Sequence, residues 1–158
     1  MIENCTQLKA VSAVSYGNLN SRQKELFNFQ KLAATFADYG FNCIKLADDW
    51  LGADFIAYNV NSNASLKVQL KSRITIDQKY SGKEKDIWMA FPHDGYWYLI
   101  KHDRLVEKVG KHTNWLNADA WKIKGLYHST NINPVLLKSL DEDKLGSVYG
   151  YVLDVQDA

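Results

Sequence analysis

In SLKVQLKSR, residues 65–73, Leu66, Val68 and Leu70 are apolar, while Lys67, Gln69, Lys71 and Arg73 are polar. Side chains alternate between the faces of a strand, so the four polar groups share one face. Gln69 and Lys71 are two apart, with Cα atoms roughly 6.5–7 Å from each other, and both reach a common point in front of the sheet. Asp54 opens the preceding apolar run, DFIAYNV. If the turn 61–64 pairs Val60 with Ser65, Asp54 lies opposite Lys71. A carboxylate, an amide oxygen and an ammonium then meet. Oxygen donors of this kind suit Mg²⁺ or Mn²⁺, which shields phosphate charge and lowers the pKa of bound water. A lysine beside the ion stabilises the charge that develops on attack.

Glu25 is the fourth candidate. On a helix, Phe29, Leu32 and Phe36 lie within about 40° of it in projection, which places it on the apolar stripe. A carboxylate there needs a cation, because an unpaired buried charge costs several kcal/mol.

The elements that must hold these groups are legible in part. Residues 1–19 read as a lead-in, followed by a single domain over 20–158. NSRQKELFNFQKLAATFADY, 20–39, reads as a helix with Asn20 or Ser21 as its cap and Gly40 as its stop. FNCIKL (41–46), DFIAYNV (54–60) and 65–73 read as strands, with DDWLGA (48–53) a loop. ITIDQKYSGKEK reads as a basic, mobile connection. DIWMAF (86–91) and YWYLIK (96–101) form a hairpin through the turn PHDG (92–95). Asp103 can cap a short helix RLVEKV, residues 111–133 show little periodicity, and Pro134 opens a last helix, PVLLKSLDEDKL, stopped by Gly146. The order predicts an α/β or α+β domain around one mixed sheet.

Residues 20–101 resemble the PD-(D/E)XK nuclease superfamily, the restriction-endonuclease-like fold. That family's core runs helix, three strands, helix, strand. Its motif is an Asp at a strand start, then (D/E)xK on the next strand, often with a Glu from the first helix. The matching positions here are Asp54 in GAD, Gln69 and Lys71 in QLK, and Glu25. The block DWLGADFIAY…LKVQLKSR…DIWMAF…YWYLI also looks like small bacterial proteins of that superfamily. Ala53 stands where the motif has proline, and Gln69 replaces the second acid, removing a negative charge from the site. The resemblance implies a mixed sheet flanked by helices and hydrolysis of nucleic acid, DNA before RNA. It implies Mg²⁺ (or Mn²⁺) on Asp54, Gln69 and Glu25, with Lys71 as the catalytic cation. The alternative is a catalytically inactive nuclease-fold module that binds nucleic acid or a protein partner. A homodimer is left open.

Charge agrees with a polyanionic partner only locally. The formal net charge is +1, which excludes binding by bulk charge. Residues 67–85 nonetheless carry six basic residues against Asp77 and Glu84. Lys67, Arg73, Lys79, Lys83 and Lys85 are therefore the candidate phosphate contacts. Cys5 and Cys43 have no CxxC spacing, so a reduced, cytoplasmic protein is expected. Glu3 falls early, and no basic segment precedes an apolar core, which argues against a secretory signal. No apolar run approaches the roughly 20 residues of a membrane span. His93, His102, His112 and His128 have no zinc spacing. Asp48 and Asp49 are rival acids better read as loop solvation. His102–Asp103 reads as a turn residue and a helix cap. Trp88, Phe91, Tyr96, Trp97 and Tyr98 read as core before base-stacking platforms.

Overall fold

The computed structural model describes residues 12–148. Helix α1, Ser21–Asp38, begins at Asn20 with a complete capping box: the Asn20 side chain accepts from Gln23 N–H, and the Gln23 side chain accepts from Asn20 N–H. It stops at Gly40, whose φ of +78° places it in the left-handed region. Strands β1 (Asn42–Trp50), β2 (Ala53–Asn59) and β3 (Ala64–Leu70) follow as an antiparallel meander. A short strand β4 (Ile74–Asp77) and a 3₁₀ turn, Gln78–Tyr80, then lead to β5 (Ile87–His93), which runs parallel to β3. Strand β6 (Tyr96–Lys101) returns antiparallel to β5 and runs directly into α2 (His102–His112). Helix α3 (Asp119–Lys122), β7 (Leu126–Ser129), α4 (Pro134–Ser139) and β8 (Lys144–Ser147) complete the chain.

The main sheet has the order β1-β2-β3-β5-β6-β8, and β4 pairs with β7 in a separate two-stranded ribbon. The expected fold class holds: an α+β domain on a mixed sheet flanked by helices. The helix that the resembled family's core carries between its third and fourth strands has no counterpart here; β4 and the 3₁₀ turn occupy that stretch.

Both faces of the sheet are covered. On one, Leu32 and Phe36 of α1 pack on Phe55, Ala57, Val68, Ala90, Trp97 and Leu99. On the other, Ile74 and Ile76 of β4, Leu105 and Val109 of α2, and Leu136 of α4 pack on Met89, Tyr98 and Ile100. Full burial of a side chain such as Phe36 or Ile76 contributes about 1.5–3 kcal/mol. Double coverage explains why YWYLI is apolar without alternation, as buried central strands are.

Several expectations are corrected. DDW belongs to β1, which is mostly exposed and irregularly paired beyond Lys45, so no apolar alternation marks its second half. ITID is no mobile connection: Ile74, Thr75 and Ile76 are all buried, a four-residue strand too short to declare its period. Pro92 and His93 stay in β5, and the reversal is made by Asp94 and Gly95 alone, both at positive φ. Asp103 does not cap α2 through its side chain; it accepts from Gly82 N–H instead. The last helix ends at Ser139, and Gly146 lies inside β8. The candidate lead-in 1–19 is described only from residue 12, where residues 12–15 are irregular and Tyr16–Asn18 form a 3₁₀ turn.

Candidate active site

Strand β2 enters the sheet at its N-terminal end with Asp54, and β3 leaves it beside that point. The register differs from the expected one. Asn59 pairs with Ala64 and Phe55 with Val68, so Asp54 lies opposite Gln69 rather than Lys71. The reversal has the expected length but falls one residue earlier, at 60–63, where the Asn59 side-chain oxygen Oδ1 accepts from the N–H groups of Asn61 and Ser62, and Asn63 takes a φ of +56°.

Asp54 Oδ2 accepts two hydrogen bonds, from Gln69 Nε2 at 2.7 Å and from the Leu70 N–H at 2.8 Å. The carboxylate thereby closes the end of β3 beyond the last paired residues. Gln69 is 5% exposed, and its remaining amide oxygen, Oε1, is buried with no donor. Burial pushes the Asp54 carboxyl above its ordinary range, against the pull of the Leu70 N–H, the Lys71 ammonium and the Gln69 amide; the charge of Glu25 adds to the rise.

Glu25 is close enough to influence Asp54, but it is not buried. Its side chain is 65% exposed, and Lys45 Nζ donates to Oε1 at 2.9 Å. The part of α1 that packs on the sheet runs from Phe29 onward, through Leu32 and Phe36, so Glu25, one turn earlier and exposed, needs no buried cation. Lys45 was legible in the sequence, since it shares a strand face with Cys43 and Phe41, which meet the α1 side.

Lys71 follows the last residue of β3. Its N–H donates to Ala90 O at 2.8 Å, and its ammonium lies 5.6 Å from the centre of the Tyr80 ring. Lys79 lies over the same ring at 4.9 Å. Among the other candidate phosphate contacts, Lys67 is half-buried on the Gln69 face of β3, and Arg73 and Lys83 are exposed. Lys85 is turned inward, donating to Lys79 O. Tyr80, 3% exposed, had no sequence signal apart from the short β4 run before it.

His102 is 1% exposed, and its Nε2 accepts from the Asp77 N–H at 3.1 Å. The pair with Asp103 is loose, 3.7 Å from Nδ1 to Oδ1, and burial lowers the imidazole pKa. A cleft of about 620 Å³ opens beside His102 and Tyr80, bordered by Lys83, Lys101 and Arg104; Asp54, Gln69 and Lys71 do not line it. Asp48 and Asp49 are exposed on β1, and Asp49 accepts from Gly52 N–H in the turn. Phe91, Trp97 and Tyr98 are core, Trp88 is half-buried and Tyr96 is exposed.

No group of three His, Cys, Asp or Glu side chains able to hold a metal occurs among the described residues. The donor set at Asp54 is smaller and mixed: a desolvated carboxylate beside a buried carbonyl oxygen that lacks a donor. Both are hard oxygen donors of the type Mg²⁺ and Mn²⁺ take, and the residues fit such an ion once the Gln69 amide turns to present Oε1 in place of the Nε2 that donates to Asp54. No helix of the described residues is long and apolar enough to cross a membrane.

No family model matches the sequence, and no curated protein matches it. Among solved structures, the chain is similar to a bacterial homing endonuclease, with 13% identity, a TM-score of 0.43, and coverage of 72% of this chain and 78% of that one. A likeness this loose assigns neither a family nor an activity.

Proposed function

We propose that the chain is a metal-dependent phosphodiesterase of the PD-(D/E)XK nuclease type, in its QxK form, acting on nucleic acid and on DNA first. The observation that carries this reading is the Asp54 carboxylate, half-buried, hydrogen-bonded to Gln69 and Leu70, and acted on by the Lys71 charge. Asp54 and the Gln69 oxygen would hold Mg²⁺ or Mn²⁺, with Glu25 joining by releasing Lys45. When bound, such an ion supplies charge shielding and a water of lowered pKa. Lys71 places a positive charge where the attacking water and the phosphate meet. Lys67, Arg73, Lys79 and Lys83 supply backbone-phosphate contacts that carry no sequence information of their own.

One observation favours the non-catalytic alternative, a nuclease-fold module that binds nucleic acid or a protein partner. Glu25 is engaged by Lys45, so Asp54 is the one carboxylate already in contact with Gln69. The experiment is incubation of purified protein with single- and double-stranded DNA and RNA, in Mg²⁺ and in Mn²⁺. Metal-dependent cleavage is expected. Intact substrates under all conditions, for both the wild type and Gln69→Glu, would leave the binding module.

A further inference from the structure

Lysine has a flexible stem, and ordering it costs rotamer entropy. Lys71 lies just past β3, with its backbone fixed by Ala90 O but its side chain only half-buried. Something must select one direction for its ammonium. Tyr80 is the element that can.

The Tyr80 ring is held from several sides. Gly52, at φ +89°, packs so close that a Cβ there would lie 2.9 Å from the ring. His102 meets the ring edge-on, with centroids 5.8 Å apart. The turn that carries Tyr80 is itself tied down. The Asp77 side chain accepts from Lys79 N–H, the Asp77 N–H donates to His102, and the Gln78 N–H donates to Gly125 O at 2.7 Å. The result is a rigid aromatic face with Lys71 Nζ 5.6 Å from its centre, inside the range of a cation–π contact.

We propose that Tyr80 is a positioning residue, whose ring face holds the Lys71 ammonium in place beside Asp54. This rests on the nuclease reading for its purpose, but not for its geometry. The β4 crossover thereby acquires a role, since the segment expected to be a mobile connection carries the platform for the lysine. Lys79 lies nearer the same ring, at 4.9 Å, and differs from Lys71 in having a carboxylate partner as well, Asp77 at 3.6 Å.

The test uses the full chain and two readouts. The first is NMR of the Lys71 side chain, which needs no activity and no variant. The ε-methylene protons are expected upfield in the wild type through the ring current, still upfield in Tyr80→Phe, and at ordinary positions in Tyr80→Leu. The second is metal-dependent DNA cleavage. Tyr80→Leu is expected to lower kcat roughly tenfold with KM little changed, the scale of one cation–π contact. Tyr80→Phe is expected to recover most of that loss. An unshifted Lys71 in the wild type overturns the proposal, even if Tyr80→Leu fails to fold. Equal losses in Phe and Leu also overturn it, because the hydroxyl would then be responsible. Wild-type protein that shows the ring shift but cleaves nothing overturns the nuclease reading and leaves the positioning intact.

Discussion

Two buried polar clusters lie on either side of the Tyr80 turn, and burial acts on them in the same way. It raises the Asp54 carboxyl and lowers the His102 imidazole, each toward its neutral form. At His102 the neutral form is the one the fold uses. Nε2 must keep its lone pair to accept from Asp77 N–H, so the neutral ring carries its proton on Nδ1. At Asp54 the neutral form is the wrong one for the proposed chemistry, because a cation needs the carboxylate. The first cluster is a joint already satisfied at its working atom. The second holds a carboxylate against its desolvation, next to an oxygen without a donor. Binding a divalent ion would relieve both defects at Asp54; at His102 the remaining orphan is a donor, the Nδ1 proton, buried without a hydrogen-bond partner and 3.7 Å from Asp103 Oδ1.

The contrast is broken most directly at the Asp54 cluster. Asp54→Ala and Lys71→Ala are each expected to lower metal-dependent cleavage by about 10²–10³-fold, measured on DNA under single-turnover conditions. His102→Ala should instead cost stability, about 2–4 kcal/mol by denaturant unfolding. It opens a cavity and leaves the Asp77 N–H without an acceptor. If His102→Ala abolished cleavage without loss of stability, the division between the clusters would be wrong.

Gln69→Glu sharpens the comparison. It restores a negative ligand, and calorimetry should show Mn²⁺ bound more tightly, on the order of tenfold, with cleavage no worse. The same change without metal should destabilise the fold, since two carboxylates then share one buried site.

The smallest effects are in the pH dependence of unfolding, and the two clusters should give opposite signs. The folded His102 pKa lies below 6.5, so the unfolded chain binds the extra proton first. Stability is then complete above pH 6.5 and declines as pH falls toward the folded value, a slope that His102→Ala removes. The folded Asp54 pKa lies above 3.8, so the folded chain holds its proton longer. Stability from this group is present below pH 3.8 and lost as pH rises through the folded value. Asp54→Asn, whose carbonyl can still accept from Leu70 and Gln69, should therefore be more stable than wild type at neutral pH. Saturating Mg²⁺ should move the Asp54 titration downward in a carboxyl NMR experiment. An unmoved titration would remove Asp54 as a metal ligand.

Local patterns settled a good part of this molecule. The capping box at Asn20 and the Asp94–Gly95 reversal are decided within a few residues of chain, whereas the apolar–polar alternation of β3 did not reveal that Gln69 is buried like its neighbour Val68. The meeting of Asp54 with Gln69 is nearly as local, because a short hairpin makes neighbours of residues fifteen apart. The register is set as locally, by the Asn59 side chain accepting from Asn61 and Ser62, but the apolar pattern placed that turn one residue late. What only the tertiary structure decided is the company those residues keep. Lys45 takes Glu25 out of the buried stripe, β4 brings Tyr80 under Lys71, and His102 fixes β4 from twenty-five residues away. Each of these depends on where separate elements come to rest against the sheet. Hydrophobic period reports which face of an element is buried, but it carries no information on which distant element buries it.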